Sequence, residues 1–397
     1  MFLIIIATIL TLCIIAEYII FQRHIKHQSK RLRTTYYTLT GICVLPYILL
    51  FIIGRIWDTF SPITTAIGGV SIILLLLNAT WKIIHSIGIV IDGPKKHKWG
   101  TMVATILASI ITLAIFYGTF WERHQLRTTE VELAFENLPD GADGMRIVQI
   151  GDLHIGLRSR KHTLLGKMTQ EIERLAPDVV IDCGDMVNSR YHEVDSLSMA
   201  ILSRIKAPLG VYTTLGNHDR GDYVLDTASL PKEENVRGLM ERQRAMGWRN
   251  IADSTVVLRR GGDSLYLTAI RYPDHLKKGS HGVSIDEDYT HYFSPLPTDA
   301  FNIIIAHTPV MWENILSATD AELTLSGHVH AMQLKLPIGE RGWSPSALVY
   351  DHWSGLYRKG NAALNITDGI GSNIPLRIGV KPEIVVITLK KCRNSQF

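Results

Sequence analysis

The stretch Arg146-Ile147-Val148-Gln149-Ile150-Gly151-Asp152-Leu153-His154 decides how the chain is read. A five-residue run rich in Ile and Val predicts a short strand, and a polar Gly-Asp-Leu-His signature follows it with no spacer. The same arrangement recurs four times further on. Strand-like residues 179–183 lead into Gly184-Asp185-Met186-Val187-Asn188, and 211–215 into Gly216-Asn217-His218-Asp219. Phe301–Ala306 leads into His307-Thr308-Pro309, and 321–326 into Gly327-His328-Val329-His330. Amphipathic helices are predicted between them at 162–175, 197–205 and around 236–246. Residues 251–258 and 264–270 read as a hairpin, 363–366 and 383–389 as further strands, and 272–295 as a long surface loop. Strands alternating with helices predict an α/β domain.

In such sheets the loops beyond the carboxyl ends of strands converge on the ligand site, so residues far apart in sequence can share one centre. Carboxylates and imidazoles supply hard oxygen and borderline nitrogen ligands, with no thiolate to restrict the centre to zinc. A carboxylate can also bridge two cations about 3.5–4 Å apart, the arrangement of two-metal hydrolysis. Each signature alone is commonly a capped turn or a surface pair. Five in series, each closing an apolar strand, predict a metal centre.

In order and spelling the five signatures resemble those of the calcineurin-like metallophosphoesterases: Asp-x-His, Gly-Asp-x-x-Asp/Asn, Gly-Asn-His-Asp/Glu, a single His, then Gly-His-x-His. The resemblance covers residues 130–389. The tail, with Gly355-Leu356-Tyr357, Gly369-Ile370-Gly371 and Leu376-Arg377-Ile378-Gly379, looks like the membrane-associated bacterial phosphodiesterase branch. The family implies a four-layer α/β/β/α sandwich. It implies two divalent ions, with Mn favoured and Fe, Zn or Co compatible. One ion would be held by Asp152, His154, Asp185 and His330, and the other by Asp185, Asn217, His307 and His328. Asn188 stands at a variable acid position and is not counted as a ligand. His218 would be the proton donor and Asp219 its orienting partner. The implied activity is hydrolysis of a phosphate mono- or diester by a hydroxide held between the ions. The alternatives are a pyrophosphate hydrolase of the UDP-2,3-diacylglucosamine type and a non-catalytic membrane receptor for a phosphate ligand. Arg158 and Arg160 are candidate substrate-binding residues because guanidinium matches phosphate bidentately. Arg377 is a similar candidate, and His275, His281 and His291 could line an entrance.

Before residue 122 the chain changes character. Apolar runs at 2–21, 36–53, 63–81 and 101–121 are each long enough to cross a hydrocarbon core of roughly 30 Å, and aromatic residues cluster at their ends. They predict an all-α, four-helix transmembrane module at 1–121, then a linker and first strand at 122–139, and the catalytic domain at 140–397. Of 41 Lys+Arg and 37 Asp+Glu, residues 1–121 carry 10 and 3, so the basic excess sits beside the apolar runs. No nucleic-acid-binding face is indicated, and no protein partner is inferred. Gln22–Thr35 carries Arg23, Lys26, Lys30, Arg31 and Arg33, and the third interval carries Lys82, Lys95, Lys96 and Lys98. The second interval has only Arg55. By the positive-inside rule the first and third intervals are cytoplasmic. The expectation is a multi-pass protein of the cytoplasmic (inner) membrane with its catalytic domain outside. Its partners would be the bilayer and a lipid-linked phosphate ester. The four cysteines are too few for a disulfide scaffold.

Overall fold

The four apolar runs all fold as helices: α1 (Phe2–Ile20), α2 (Lys30–Ile56), α3 (Pro62–Asp92) and α4 (Trp99–Phe120). The computed structural model describes residues 2–56, 62–93, 98–157, 161–224, 230–272, 276–279, 282–285, 300–372 and 374–392. Among these, two stretches are long and apolar enough to cross a bilayer, Ile67–Asp92 and Trp99–His124. Two intervals expected as loops are more helical than their composition suggests. A π-turn at Phe21–Ile25 and the early start of α2 occupy most of the first, and α3 runs on to Asp92. Lys82 is therefore not a loop charge. It lies inside α3, where its ammonium pairs with Glu17 of α1, and Tyr36 donates to the same carboxylate at 3.1 Å. Pairing of this kind is the usual way an acid among apolar helices is accommodated. Asp92 closes the turn into α4 by accepting from the amides of Gly100 at 2.6 Å and Thr101 at 2.9 Å.

The chain divides into two units, Met1–Trp121 with Ile374–Leu376, and Glu122–Asn373 with Arg377–Phe397. In the second, β1 (Arg127–Phe135), β2 (Arg146–Ile150), β3 (Val179–Asp182), β4 (Val211–Thr213), β5 (Arg249–Asn250) and β14 (Glu383–Lys391) form a sheet in the order β1-β14-β2-β3-β4-β5. A second sheet has the order β12-β13-β11-β10-β7-β6. Its strands are β6 (Ser254–Arg260), β7 (Asp263–Ile270), β10 (Phe301–Ala306), β11 (Leu323–Ser326), β12 (Gly355–Lys359) and β13 (Ala362–Ile366). Both sheets are mixed: β14 runs antiparallel to β2, β12 to β13, and β6 to β7. The 272–295 stretch, expected as loop, contains a small hairpin of β8 (Leu276–Gly279) and β9 (Gly282–Ile285).

The period-2 pattern of each strand sets the layers. Ile147, Val179 and Ile181 share one core with Leu265, Leu267, Phe301, Ile303 and Ile305 from the other sheet, so the sheets pack face to face. Val148, Ile150 and Val180 point the opposite way. They pack under α5 (Lys161–Leu175), α6 (Ser196–Leu202) and α7 (Lys232–Ala245) through Leu165, Met168, Leu202 and Leu239. On the outer face of the second sheet, Ile304 and Ala306 meet Met311 and Ile315, the latter in α8 (Trp312–Ala318). The order is helices, sheet, sheet, helix. In the first sheet β2, β3 and β4 run parallel in register, Ile150 opposite Asp182 and Asp182 opposite Thr213, so their carboxyl ends finish level.

Arg377 is not a phosphate-binding residue but a buried strut. Its guanidinium is fully enclosed and donates to the carbonyls of Asp368, Gly369, Gly371, Val380 and Lys381. The 369–371 turn it holds bonds in its own right to the loop after β2, Ile370 N to Gly151 O at 3.1 Å and Gly371 N to Asp152 O at 2.6 Å. Burial pulls the guanidinium pKa down to about 10, still cationic at neutral pH. In Arg377→Leu those carbonyls lose their donor, and each unpartnered buried group costs about 1–3 kcal/mol. The variant should therefore lose at least about 3 kcal/mol, read as a drop of several degrees in the thermal unfolding midpoint of the full chain in detergent. An unchanged midpoint would refute the strut role.

Candidate metal centre

Just past the ends of β2, β3 and β11 the backbone enters a conformation that L-residues avoid. Asp152 (φ 53°), His154 (φ 43°), Asp185 (φ 57°), His328 (φ 73°) and His330 (φ 51°) are all left-handed. Each such residue costs on the order of 1–2 kcal/mol, and such strain concentrates at functional sites. Neighbouring loops hold the turns. Asp152 N donates to Gly184 O at 2.8 Å, and His154 N to Asp185 O at 3.1 Å. The glycines are required by close approach: a Cβ on Gly216 would land on Asp185 Oδ1, and one on Gly327 on Asp152 Oδ2.

The seven residues named above as ligands come together from five loops. Asp152, His154 and His330 form one cluster and Asp185, His307 and His328 another. Asp185 also groups with His154 and His218. Asp185 Oδ2 lies 3.1 Å from His307 Nε2 and 3.8 Å from His154 Nε2, one ring from each cluster. Asn217 Oδ1 sits 3.2 Å from His307 Nε2 and 2.9 Å from His328 Nδ1. His154 Nε2 and His330 Nε2 face each other at 3.2 Å. Asp152, His154, Asp185 and His307 are almost wholly buried.

The tautomers show what this set wants. His307 Nδ1 donates to the Cys183 carbonyl at 2.7 Å, which leaves Nε2 as a lone pair aimed at Asn217 Oδ1 and Asp185 Oδ2, both acceptors. His154 Nδ1 donates to Asn188 Oδ1 at 3.0 Å, which leaves its Nε2 pointing at His330. Ring nitrogens and carboxyl and amide oxygens converging in a dry site fit a shared cation, and the all-N/O donor set suits a divalent metal. The protonation balance of the protein alone carries the same message. Burial pushes Asp152 up to about 7, and burial with the neighbouring His218 depresses His154 to about 3. Burial and then His307 lower His328 to about 3. Burial would lower His307 too, but the charge and hydrogen bond of Asp185 outweigh it and lift the ring to about 10, so a proton occupies the cation's place.

His218 lies beside both clusters. Its Nδ1 donates to the Asn188 carbonyl at 2.6 Å, its backbone N–H to Asp185 Oδ1 at 2.8 Å, and its ring meets His154 edge-on at 4.8 Å. Asp219 does not orient it. The Asp219 carboxylate is buried and accepts from the amides of Asp185 (2.7 Å), Gly216 (3.0 Å) and Val187 (3.1 Å), so it clamps the two loops together. The orienting group that sequence reasoning missed is Asn188, whose side chain aligns His154 and whose carbonyl aligns His218. It held the variable acid position, and a backbone carbonyl leaves no trace in a motif. Three tyrosines were missed as well. Tyr223 stacks on His218, Tyr272 packs on His307 and His328, and the Tyr350 hydroxyl is 3.5 Å from His328 Nε2. Arg158, Arg160, His275, His281 and His291 lie outside the described residues. Asn365, in a glycosylation-type sequon, is buried against Gln149.

Comparison with known proteins agrees with the site. Residues 145–332 match the calcineurin-like phosphoesterase family. The chain is 29% identical over 300 residues to the uncharacterized metallophosphoesterase YkuE of Bacillus subtilis, covering 73% of this chain and 95% of that one. It is 29% identical over 307 residues to a transmembrane protein with metallophosphoesterase domain from Danio rerio, covering 74% of this chain and 64% of that one. A 122-residue stretch is 34% identical to the UDP-2,3-diacylglucosamine pyrophosphatase LpxG of Chlamydia trachomatis, 31% of this chain and 36% of that one. With five motif loops converging on one buried N/O donor set, residues 145–332 form a calcineurin-like phosphoesterase domain, that of a metal-dependent phosphoester hydrolase.

Proposed function

We propose that the centre hydrolyses a phosphate ester using two divalent ions, one on Asp152, His154, Asp185 and His330, the other on Asp185, Asn217, His307 and His328. The observation that carries this is the position of Asp185, whose Oδ2 faces a ring from each cluster at 3.1 and 3.8 Å. Bound ions supply charge neutralisation at the phosphoryl oxygens and an acidified water for in-line attack. The chain's own residues do the rest. The Asn188 carbonyl takes the Nδ1–H of His218, so that the imidazolium form presents its Nε2–H to protonate the departing oxygen. The loop geometry held by Asp219 keeps the donors convergent before substrate arrives. The donor set accepts Mn, Fe, Co or Zn, and the family resemblance favours Mn.

The test uses the full chain in detergent with bis-aryl and mono-aryl phosphates and each of the four metals. Turnover is expected with at least one metal, and Asp185→Ala should lose both ions whereas Asn217→Ala loses one. His218→Asn should lower kcat about 10²- to 10⁴-fold, and less so for esters whose leaving group needs no proton. Binding of phosphate without turnover under any metal would favour the receptor reading. Two full metal equivalents in Asp185→Ala would overturn the ligand assignment.

We further infer that α1–α4 all cross the cytoplasmic membrane, that the phosphoesterase unit lies outside it, and that the substrate is lipid-linked. Two helices of membrane-spanning length and a relative named as a transmembrane protein support the anchoring. With Lys82 paired inside α3, the orientation rests on Arg23, Lys26, Lys30, Arg31 and Arg33 before and within the first turn of α2, and on Lys95, Lys96 and Lys98 before α4. Anchoring raises the encounter rate with anything in the same bilayer. The name of the LpxG relative favours a lipid-linked pyrophosphate as the second reading. Protease added to intact spheroplasts should digest the chain beyond residue 122. Full protection until lysis would place the chemistry in the cytoplasm and leave the nucleotide-linked lipid as the better substrate.

A further inference from the structure

Tyr223 stands six residues beyond Asn217, on the turn that follows β4, and touches two members of the centre at once. Its hydroxyl accepts from Asn217 Nδ2 at 3.0 Å, and its ring stacks on His218 with centroids 4.2 Å apart and planes 13° from parallel. The geometry points to Tyr223 as a positioning residue that turns the Asn217 amide so that its oxygen meets the second ion, and that seats the face of the general acid. The inference rests on the ligand set proposed above.

A carboxamide can be held either way round, and its two ends have opposite character: Oδ1 offers lone pairs to a cation, whereas Nδ2 presents hydrogens and would repel it. Asn217 Oδ1 lies 3.2 Å from His307 Nε2 and 2.9 Å from His328 Nδ1, the two rings that would share the second ion with it. When Oδ1 faces inward, Nδ2 faces outward and needs an acceptor in a mostly buried place. The Tyr223 hydroxyl is that acceptor. Removing it leaves the inward-oxygen state with an unpaired donor. The cost falls on ion binding at the second position alone, because no Asp152, His154 or His330 atom bonds to this amide among the described residues. The second role is separable. The ring covers one face of His218, while the Asn188 carbonyl holds only its Nδ1 edge. A phenylalanine keeps the stack and loses the hydroxyl, and a leucine loses both.

Equilibrium dialysis of the full chain in detergent against Mn²⁺, with turnover of a bis-aryl phosphate measured alongside, tests both roles. Tyr223→Phe is expected to bind the first ion as wild type does and the second about 3- to 10-fold more weakly, the loss of one hydrogen bond. Its kcat should return to the wild-type value at saturating Mn²⁺. Tyr223→Leu should show the same weakening and keep a reduced kcat at saturation. Unchanged unfolding midpoints in both variants separate these effects from misfolding. Both ions bound at wild-type affinity by Tyr223→Phe, with Asn217→Ala losing the second ion, would overturn the positioning role and leave the ligand set standing. Wild-type Mn²⁺ binding by Asn217→Ala would overturn the ligand set and this inference with it.

Discussion

Acceptors that face acceptors inside a dry site are the condition the phosphoesterase unit is organised around. Asp185 Oδ2 and Asn217 Oδ1 both lie within about hydrogen-bond distance of His307 Nε2, and a second set gathers around His154 and His330. Left to themselves such groups separate, hydrate or take up protons. The pKa values spread accordingly, from about 3 at His154 to about 10 at His307, because burial disfavours each charge and only some groups find a partner. Cations shared by both clusters would resolve all of these conflicts at once. A centre of this kind is therefore assembled by the rest of the fold and satisfied by what binds to it.

The assembly has a recognisable cost and recognisable supports. Five of the seven proposed ligands are left-handed, each strained by on the order of 1–2 kcal/mol. The opposing contributions lie directly beneath. Parallel registration of β2, β3 and β4 delivers three loops at one level, and the shared core between the sheets delivers those of β10 and β11. Arg377 pins the turn that packs on Asp152, and Asp219 ties the loops of Asp185 and Asn217. These two charged residues serve geometry rather than chemistry. That is possible because buried charge is tolerated where several backbone groups can be satisfied by one side chain.

The same distinction explains how far the sequence could be read. The strands and the residues that end them were legible, because hydrophobic alternation and chemical type are local properties. The partners of those residues were not. Asp219 looked like the companion of His218 by adjacency, yet its carboxylate reaches two amides of the Asp185 loop and one of its own turn. Asn188 looked like a degraded ligand position, yet it aligns two histidines. Lys82 read as a loop charge because composition marks the end of an apolar run but not the end of a helix, and its stabilising partner is 65 residues away. β12 was missed because Gly355-Leu356-Tyr357-Arg358-Lys359 shows little alternation, and it is a strand only by pairing with β13 at the sheet edge.

A neutral anchor for His218 also bears on the chemistry of the site. In many acid–base pairs a carboxylate holds the far nitrogen of the imidazole, fixing its tautomer and stabilising its charged form. Here a backbone carbonyl does the fixing, and the nearby acid, Asp219, is turned away with its oxygens occupied by amides. The ring is oriented without a further negative charge on that side of the centre. For an anionic substrate that difference matters more than it would for a neutral one, since each additional carboxylate in a low-dielectric site opposes the approach of phosphate oxygens. The carboxylates thus face either the two imidazole clusters, as with Asp152 and Asp185, or backbone amides, as with Asp219. The side of the centre where His218 and the tyrosines stand is left to neutral donors and aromatic rings.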